Sequence, residues 1–285
     1  MSVNDKQDLL LNAGFALDDP DALRDLAACD GYVYLPGLIS AQRMRAATDA
    51  MLSVAARHGL LPGGNGAATP GRLLVEGQSD AWFDLYADLL RQQALYAVAW
   101  EPRLIAVMQT ILGPHAIPHP CAIFRIVGPG VEAYAKPAHQ DMRYVGGHAA
   151  IWTAWIACGE CDGSVGGVEI LAGSHRYGEL PVRPVDWGKE AVGPPDLKWR
   201  KAPMLPGDAL LFSSYTVHRT IPNVSTEGLR MSVDFRYQSS TEAFRPDALL
   251  PHAGILSWED IYQEWDDAEE LRYYWRRHEL SFHAR

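Results

Sequence analysis

Two histidines and one aspartate give this chain its clearest chemical signal. His139-Gln140-Asp141 sets an imidazole and a carboxylate two residues apart, and on extended backbone such residues share a face. His218 stands far downstream in the run SSYTVHRTIPN, just past a segment of strand character. Two histidines with one carboxylate form the facial donor set of non-heme iron(II), which leaves coordination positions open for a bidentate co-substrate and oxygen. A His-x-Asp pair by itself suits a surface hydrogen bond equally well, so its neighbours decide. Met231, Val233, Phe235 and Tyr237 alternate with Arg230, Ser232, Asp234 and Arg236, the period of a half-buried strand. Arg230, with the Ser232 hydroxyl two residues on, makes a planar fork suited to both oxygens of a carboxylate. Thr220 lies two residues after His218 and can share its face. A metal triad beside a carboxylate clamp equips a site for a keto acid, chelating through one end and held by the other.

Other reactive types read as structural. Cys158-Gly159-Glu160-Cys161 has the spacing of half a zinc site, but no second pair follows, and zinc needs about four ligands. Asn223-Val224-Ser225 is a glycosylation sequon only in a secreted chain. His175 in AGSHRYG reads as a hydrogen-bonded turn residue. Arg125 and Arg143 can meet substrate or form ordinary ion pairs.

These residues need elements to position them. The first third is helical. Ser40 caps a segment with Met44, Ala47, Met51, Val54 and Ala55 at three-to-four spacing, and Gly59 stops it. The pattern continues over 81–99, and Pro102 opens a further helix that Gly113 ends. Between them the Gly/Pro-rich stretch 61–71 reads as a flap or connector. From about residue 120 the texture changes to short strands at 121–127, 150–158, 167–172, 208–213 and 229–237, divided by turn chemistry. Ser257 with Asp260 reads as a capping box for a closing helix to about residue 279. Helices first and many short strands afterwards predict one α+β domain, 1–285, with a mainly β sandwich or barrel buttressed by helices. Its parts are a helical region over about 1–115, a β core over about 116–245 and a C-terminal helix over about 257–279.

Composition narrows the partners. The 285 residues carry a formal charge of −10, with no basic run, whereas a polyanion or an acidic membrane surface calls for clustered Lys and Arg. The N-terminus lacks a signal-peptide layout, and no apolar run approaches a membrane span. Four cysteines are too few for a disulfide framework. The expectation is a cytoplasmic protein with reduced thiols, acting on a small molecule without nucleic acid or membrane. Oligomeric state is not legible.

Three stretches, AHQDMRY (138–144), WIACGECDGSVGGVEILAGSH (155–175) and PGDALLFSSYTVHRTIPNVSTEGLR (206–230), resemble the phytanoyl-CoA dioxygenase family of iron(II)/2-oxoglutarate oxygenases in motif and order. The resemblance implies a double-stranded β-helix, or jelly-roll, core. It implies that His139, Asp141 and His218 ligate Fe(II), that Arg230 binds the distal carboxylate of 2-oxoglutarate, and that Thr220 assists. Trp155 matches a tryptophan lining the co-substrate pocket. Tyr144 and Asn223 match positions typical of the family, the latter shaping a turn, and Tyr144 joins Arg125 and Arg143 as a residue for the substrate. The implied reaction uses O2, decarboxylates 2-oxoglutarate to succinate and hydroxylates an unactivated C–H bond of a small metabolite. Asp141 favours hydroxylation over chlorination, because halogenases of this superfamily replace that carboxylate. Epimerisation, desaturation or cyclisation on the same fold, and a non-catalytic jelly-roll binding protein, are the alternatives.

Overall fold

The computed structural model describes residues 9–61, 77, 79–129, 135–146, 150–186, 188–266 and 270–283. The N-terminal part is helical, as its periodicity requires. Helix α1 (Pro20–Asp30) leads into strand β1 (Tyr32–Leu35), and α2 (Ala41–Arg57), α3 (Asp80–Leu90), α4 (Gln93–Ala97) and α5 (Pro102–Leu112) follow. Ser40 occupies the cap position of α2, but its hydroxyl donates to Glu101 Oε2 at 2.9 Å instead of capping the backbone. The stretch 62–71 lies outside the described residues.

Strands then follow in short order: β2 (Ala116–Pro118), β3 (Ile123–Val127), β4 (Trp152–Ala157) after the one-turn helix α6 (Met142–Val145), β5 (Gly167–Leu171), β6 (Val182–Val185), β7 (Gly188–Ala191), β8 (Trp199–Arg200), β9 (Ala209–Ser213), β10 (His218–Ile221) and β11 (Arg230–Ser239). The larger sheet runs β1-β9-β4-β11-β2, with β3 also on β11; a second runs β10-β5-β8; β6 and β7 form a hairpin. Every one of these ladders is antiparallel. Tyr34, Trp155, Leu210 and Phe212 from the larger sheet pack against Ile170 of the smaller one. This is the sheet-on-sheet packing of a jelly roll.

The outer face of the larger sheet meets the helices. Val33, Ile156, Leu211, Val233 and Phe235 join Leu23, Met51, Leu85 and Leu104 in one apolar core. Strand β11 departs from the sequence reading here. Its alternation predicts one face in water, yet its polar residues are buried as well, Arg230 and Asp234 at 5% exposure and Ser232 at 0%. Its apolar residues face the helices and its polar residues face the interior between the sheets.

The closing helix predicted to about residue 279 is also corrected. The described residues there give a single turn, α7 (Trp258–Ile261), and a 3-10 turn over Tyr274–Arg277. The capping box forms, with Ser257 and Asp260 satisfying each other's backbone, but Tyr273 adopts φ 51°, which a helix cannot contain. Burial of Tyr262, Trp265, Tyr274 and Trp275 in the helical core explains the departure, since apolar area removed from water outweighs helix propensity.

Candidate active site

His139 and His218 face each other across an isolated antiparallel bridge. Each backbone N–H donates to the other's carbonyl, at 2.9 and 3.0 Å, and the rings stand 4.1 Å apart. Each Nδ1 lies against the carbonyl two residues upstream, His139 on Pro137 O at 2.8 Å and His218 on Thr216 O at 3.0 Å. A carbonyl only accepts, so Nδ1 carries the proton and Nε2 presents its lone pair. Gln140, fully buried between the two short-spaced residues, holds the segment. Its side-chain Nε2 donates to Gly178 O and Tyr215 O at 2.8 and 2.7 Å, and its Oε1 accepts from Leu180 N at 2.8 Å.

Asp141 stands at the start of α6 in helical conformation, so the pair is not on continuous extended backbone. The tight turn still aims it at the histidines. Its Oδ1 lies 3.8 Å from His139 Nε2 and 3.7 Å from His218 Nε2. Its Oδ2 accepts from Thr153 Oγ1 at 2.7 Å and Arg236 Nη2 at 3.1 Å. Donor atoms of the three residues all fall within 4.8 Å of one another.

Protonation states suit a cation. Burial pushes His139 down to about 3, and burial lowers His218 likewise. Burial alone would raise the Asp141 carboxyl, but Arg236 and the Thr153 hydroxyl hold it well below the usual carboxylate range. Two neutral imidazoles and one carboxylate, with Nε2 and Oδ1 converging, fit a divalent iron.

The triad opens onto a cavity of about 410 Å³. Arg230, Thr220, Trp155, Arg125 and Tyr144 line it with the triad. Arg230 is buried, and its Nη1 donates to Ile221 O at 3.4 Å. Arg125 is ion-paired with Asp234. Tyr144 is 63% exposed at the mouth, its ring 5.9 Å from that of His139. Ser232 is not in the lining; it lies fully buried along the Arg230 face of β11. Arg143 is also outside the lining and pairs with Glu179 at 2.9 Å. Trp82, Tyr86 and Tyr96 are core residues.

Sequence reasoning passed over Thr153, Arg236, Asp234, Lys136 and Lys189, all in the lining. A signal existed for three of them. Arg236 and Asp234 share the parity of Arg230 on β11, and Thr153 shares that of Trp155 on β4. The residues read as structural are so. Cys158 and Cys161 are buried free thiols, with burial raising both and Cys161 reaching about 11. Asn223 Nδ2 donates to Val127 O and Gly228 O at 2.9 and 2.8 Å. His175 Nε2 bonds to Ala28 O at 2.9 Å.

Comparison with known proteins agrees with this geometry. The chain is 29% identical over 252 residues to the 1-deoxypentalenic acid 11-beta-hydroxylase of Streptomyces exfoliatus, covering 82% of this chain and 87% of that one. The same enzyme of Streptomyces arenae matches over the same span. Among solved structures, the alpha-ketoglutarate-dependent epimerase SnoN superposes with TM-score 0.54 at 24% identity, over 80% of this chain and 87% of SnoN. The carbocyclase SnoK gives 0.55 at 19%, over 79% and 85%. A non-heme monooxygenase, ThoJ, gives 0.56 at 18%, over 80% and 86%. These last three likenesses show the fold. The phytanoyl-CoA dioxygenase model matches residues 27–232, and with the inward-facing His-Asp-His set held between two antiparallel sheets, this chain belongs to the phytanoyl-CoA dioxygenase family of iron/2-oxoglutarate-dependent oxygenases.

Proposed function

We propose that the protein hydroxylates an unactivated C–H bond of a small free metabolite, with His139, Asp141 and His218 holding Fe(II) and Arg230 holding the distal carboxylate of 2-oxoglutarate. The observation that carries this is the division of the Asp141 carboxylate: Oδ2 is taken by Thr153 and Arg236, and Oδ1 faces both Nε2 atoms. Asp141 therefore ligates through Oδ1 alone, and the three protein ligands leave room for a bidentate co-substrate and oxygen.

Bound iron with 2-oxoglutarate supplies the oxidising power, consuming O2 and releasing succinate and carbon dioxide. The chain's residues do the rest. Gln140 fixes the segment that carries two ligands, and the backbone bridge fixes the third against it. Arg230 meets the distal carboxylate with its planar fork, supported by Ser232 behind it on β11, while Thr220 and Trp155 orient the co-substrate along the wall. Ile123, Val168 and Phe212 provide an apolar lining that keeps water from the reacting centre. The helical core and the β core work as one oxygenase domain, supported by an apolar cluster that runs from Ala13 to Trp275. The Streptomyces relatives are named hydroxylases, which supports hydroxylation as the outcome. The test is anaerobic. Fe(II) followed by 2-oxoglutarate should give a visible metal-to-ligand charge-transfer band that His139→Ala abolishes. A folded, iron-replete protein without the band would overturn the reading.

A further inference from the structure

We infer, resting on that reading of the site, that the β6–β7 hairpin is a wall of the substrate cavity that metal binding sets in place, so that the pocket is completed only after the metal is held. The first observation is how little holds the hairpin by itself. β6 and β7 form a sheet of two strands, and a two-stranded hairpin is marginal in water. Among the described residues of 182–190 none is buried. Its cross-strand ion pair runs from Arg183 Nε to Glu190 Oε2 at 2.7 Å. The Arg183 side chain is 67% exposed, and such surface pairs contribute little. Yet Gly188 and Lys189 line the cavity beside the triad.

The second observation is what the hairpin's two roots are tied to. Before β6, Gly178 O accepts from Gln140 Nε2 and Leu180 N donates to Gln140 Oε1, both at 2.8 Å. Leu180 O accepts from Arg143 Nη2, and Arg143 Nη1 meets Glu179 at 2.9 Å. At the end of β7, Ala191 N donates to Ala138 O at 2.7 Å, and Val192 N closes the neck on Pro181 O at 2.9 Å. Leu180 and Ala191 also pack with Ala138 and Val217, the chain neighbours of the two histidine ligands. Every one of these hydrogen bonds and ion pairs except the neck ends on residues 138–143, the stretch that carries His139 and Asp141. The hairpin's local stability is therefore set at its roots, by the order of the ligand segment.

The third observation is the chemistry at the centre of that segment. Both Nδ1 atoms donate to carbonyls, so both Nε2 atoms turn their lone pairs on Asp141 Oδ1, at 3.8 and 3.7 Å. Three acceptors aimed at one another repel. A divalent cation between them replaces that repulsion with three bonds, and its binding free energy becomes folding free energy of the segment that supplies the ligands. Order then passes from the ligands to the roots and from the roots to the cavity wall. Such a coupling is reciprocal, so a loosened hairpin also weakens the hold on the metal.

The test is hydrogen–deuterium exchange of the full chain, read by mass spectrometry with and without Mn(II) as a stand-in for Fe(II). Binding itself is read at residues 138–143, whose amides should slow. The amides of 182–191 should then exchange at least about tenfold more slowly, below a ceiling of about a hundredfold at a metal concentration about 100 times the Kd. The exposed turn at 162–164, where Ser164 N donates to Asp162 Oδ1 at 2.8 Å, should not change. Ala191→Pro deletes the N–H that meets Ala138 O and leaves all three ligands in place. It should cut the hairpin's response to less than about threefold and weaken Mn(II) binding about fivefold, as expected for one hydrogen bond. Slowing at 138–143 with no change over 182–191, or equal slowing in the 162–164 turn, would overturn the inference. So would a full hairpin response in Ala191→Pro. Should that variant not fold, the exchange of the unmodified chain decides. No slowing at 138–143 in the unmodified chain would sink the metal reading beneath the inference, and the inference with it.

Discussion

Asp141 divides its oxygens between two tasks, and the residues that enforce the division have measurable effects. Arg236→Met should leave a buried carboxylate short of its main counter-charge. The metal-free protein should lose about 3–5 kcal/mol of stability in urea, the cost of breaking a buried pair. Mn(II) should restore much of it by replacing the lost positive charge, and Arg236→Lys should lie between the two. Stability unaffected in metal-free Arg236→Met would remove Arg236 from the site's electrostatics. Arg230→Ala should weaken 2-oxoglutarate binding by more than about tenfold, as expected for a charged hydrogen bond of about 1.5–3 kcal/mol; an unchanged affinity in the anaerobic titration would end the clamp assignment. The sequence exposed the triad and Arg230 because their types and short spacings are chemically unusual. It hid Arg236 and Thr153 for a physical reason. Alternation separates two faces of a strand without saying which one looks at water, and on β11 neither does. Arg143, which the sequence set beside Arg125 as a substrate residue, stands on the one-turn helix α6 and pairs with Glu179.

Elements position these residues through a few local devices. Gln140 is one, its amide filling three backbone positions between separate loops. Gln140→Ala would orphan those groups in the interior. Urea unfolding should report a loss of about 2–4 kcal/mol, from several unsatisfied buried groups, and Mn(II) titration should report weaker binding. Gly31 is another. It closes α1 with φ 72°, and a Cβ there would stand 2.2 Å from His175 Nδ1. Gly31→Ala should cost more than about 2 kcal/mol, from strain added to the clash; a neutral outcome in thermal unfolding would mean that the His175 turn yields. The N-terminal helices and the strands at 123–127, 152–157, 167–171, 209–213 and 230–239 were legible because periodicity and turn residues agree there. The β6–β7 hairpin was not. VRPV and GKEA show no apolar alternation, since the hairpin lies at the rim and buries little. The closing helix failed for the opposite reason, its cap correct and its continuation overridden by tertiary burial of aromatics.

Across the whole molecule, folding makes several ionisable groups give up water. His119 is buried between strands with Nε2 against Gln238 Oε1 at 2.9 Å, and burial lowers it to about 4. Its unfolded form takes a proton near 6.5, so the unfolded state binds more protons as pH falls from 6.5 to 4, and stability drops through that window. The share of His119 is about 3 kcal/mol at pH 4. Urea unfolding of His119→Gln should have a correspondingly flatter acid limb, and an identical limb would assign the loss to other groups. Among the described residues no helix is long and apolar enough to cross a membrane. The bridge between residues 139 and 218 also bears on how the protein comes into being. On the ribosome, the first two ligands emerge long before the third, and the strand that pairs them is completed only after most of the chain has been made. A nascent chain therefore lacks the third candidate ligand until residue 218 has been made. On the proposed reading, the complete donor set exists only once the backbone bridge between residues 139 and 218 has closed.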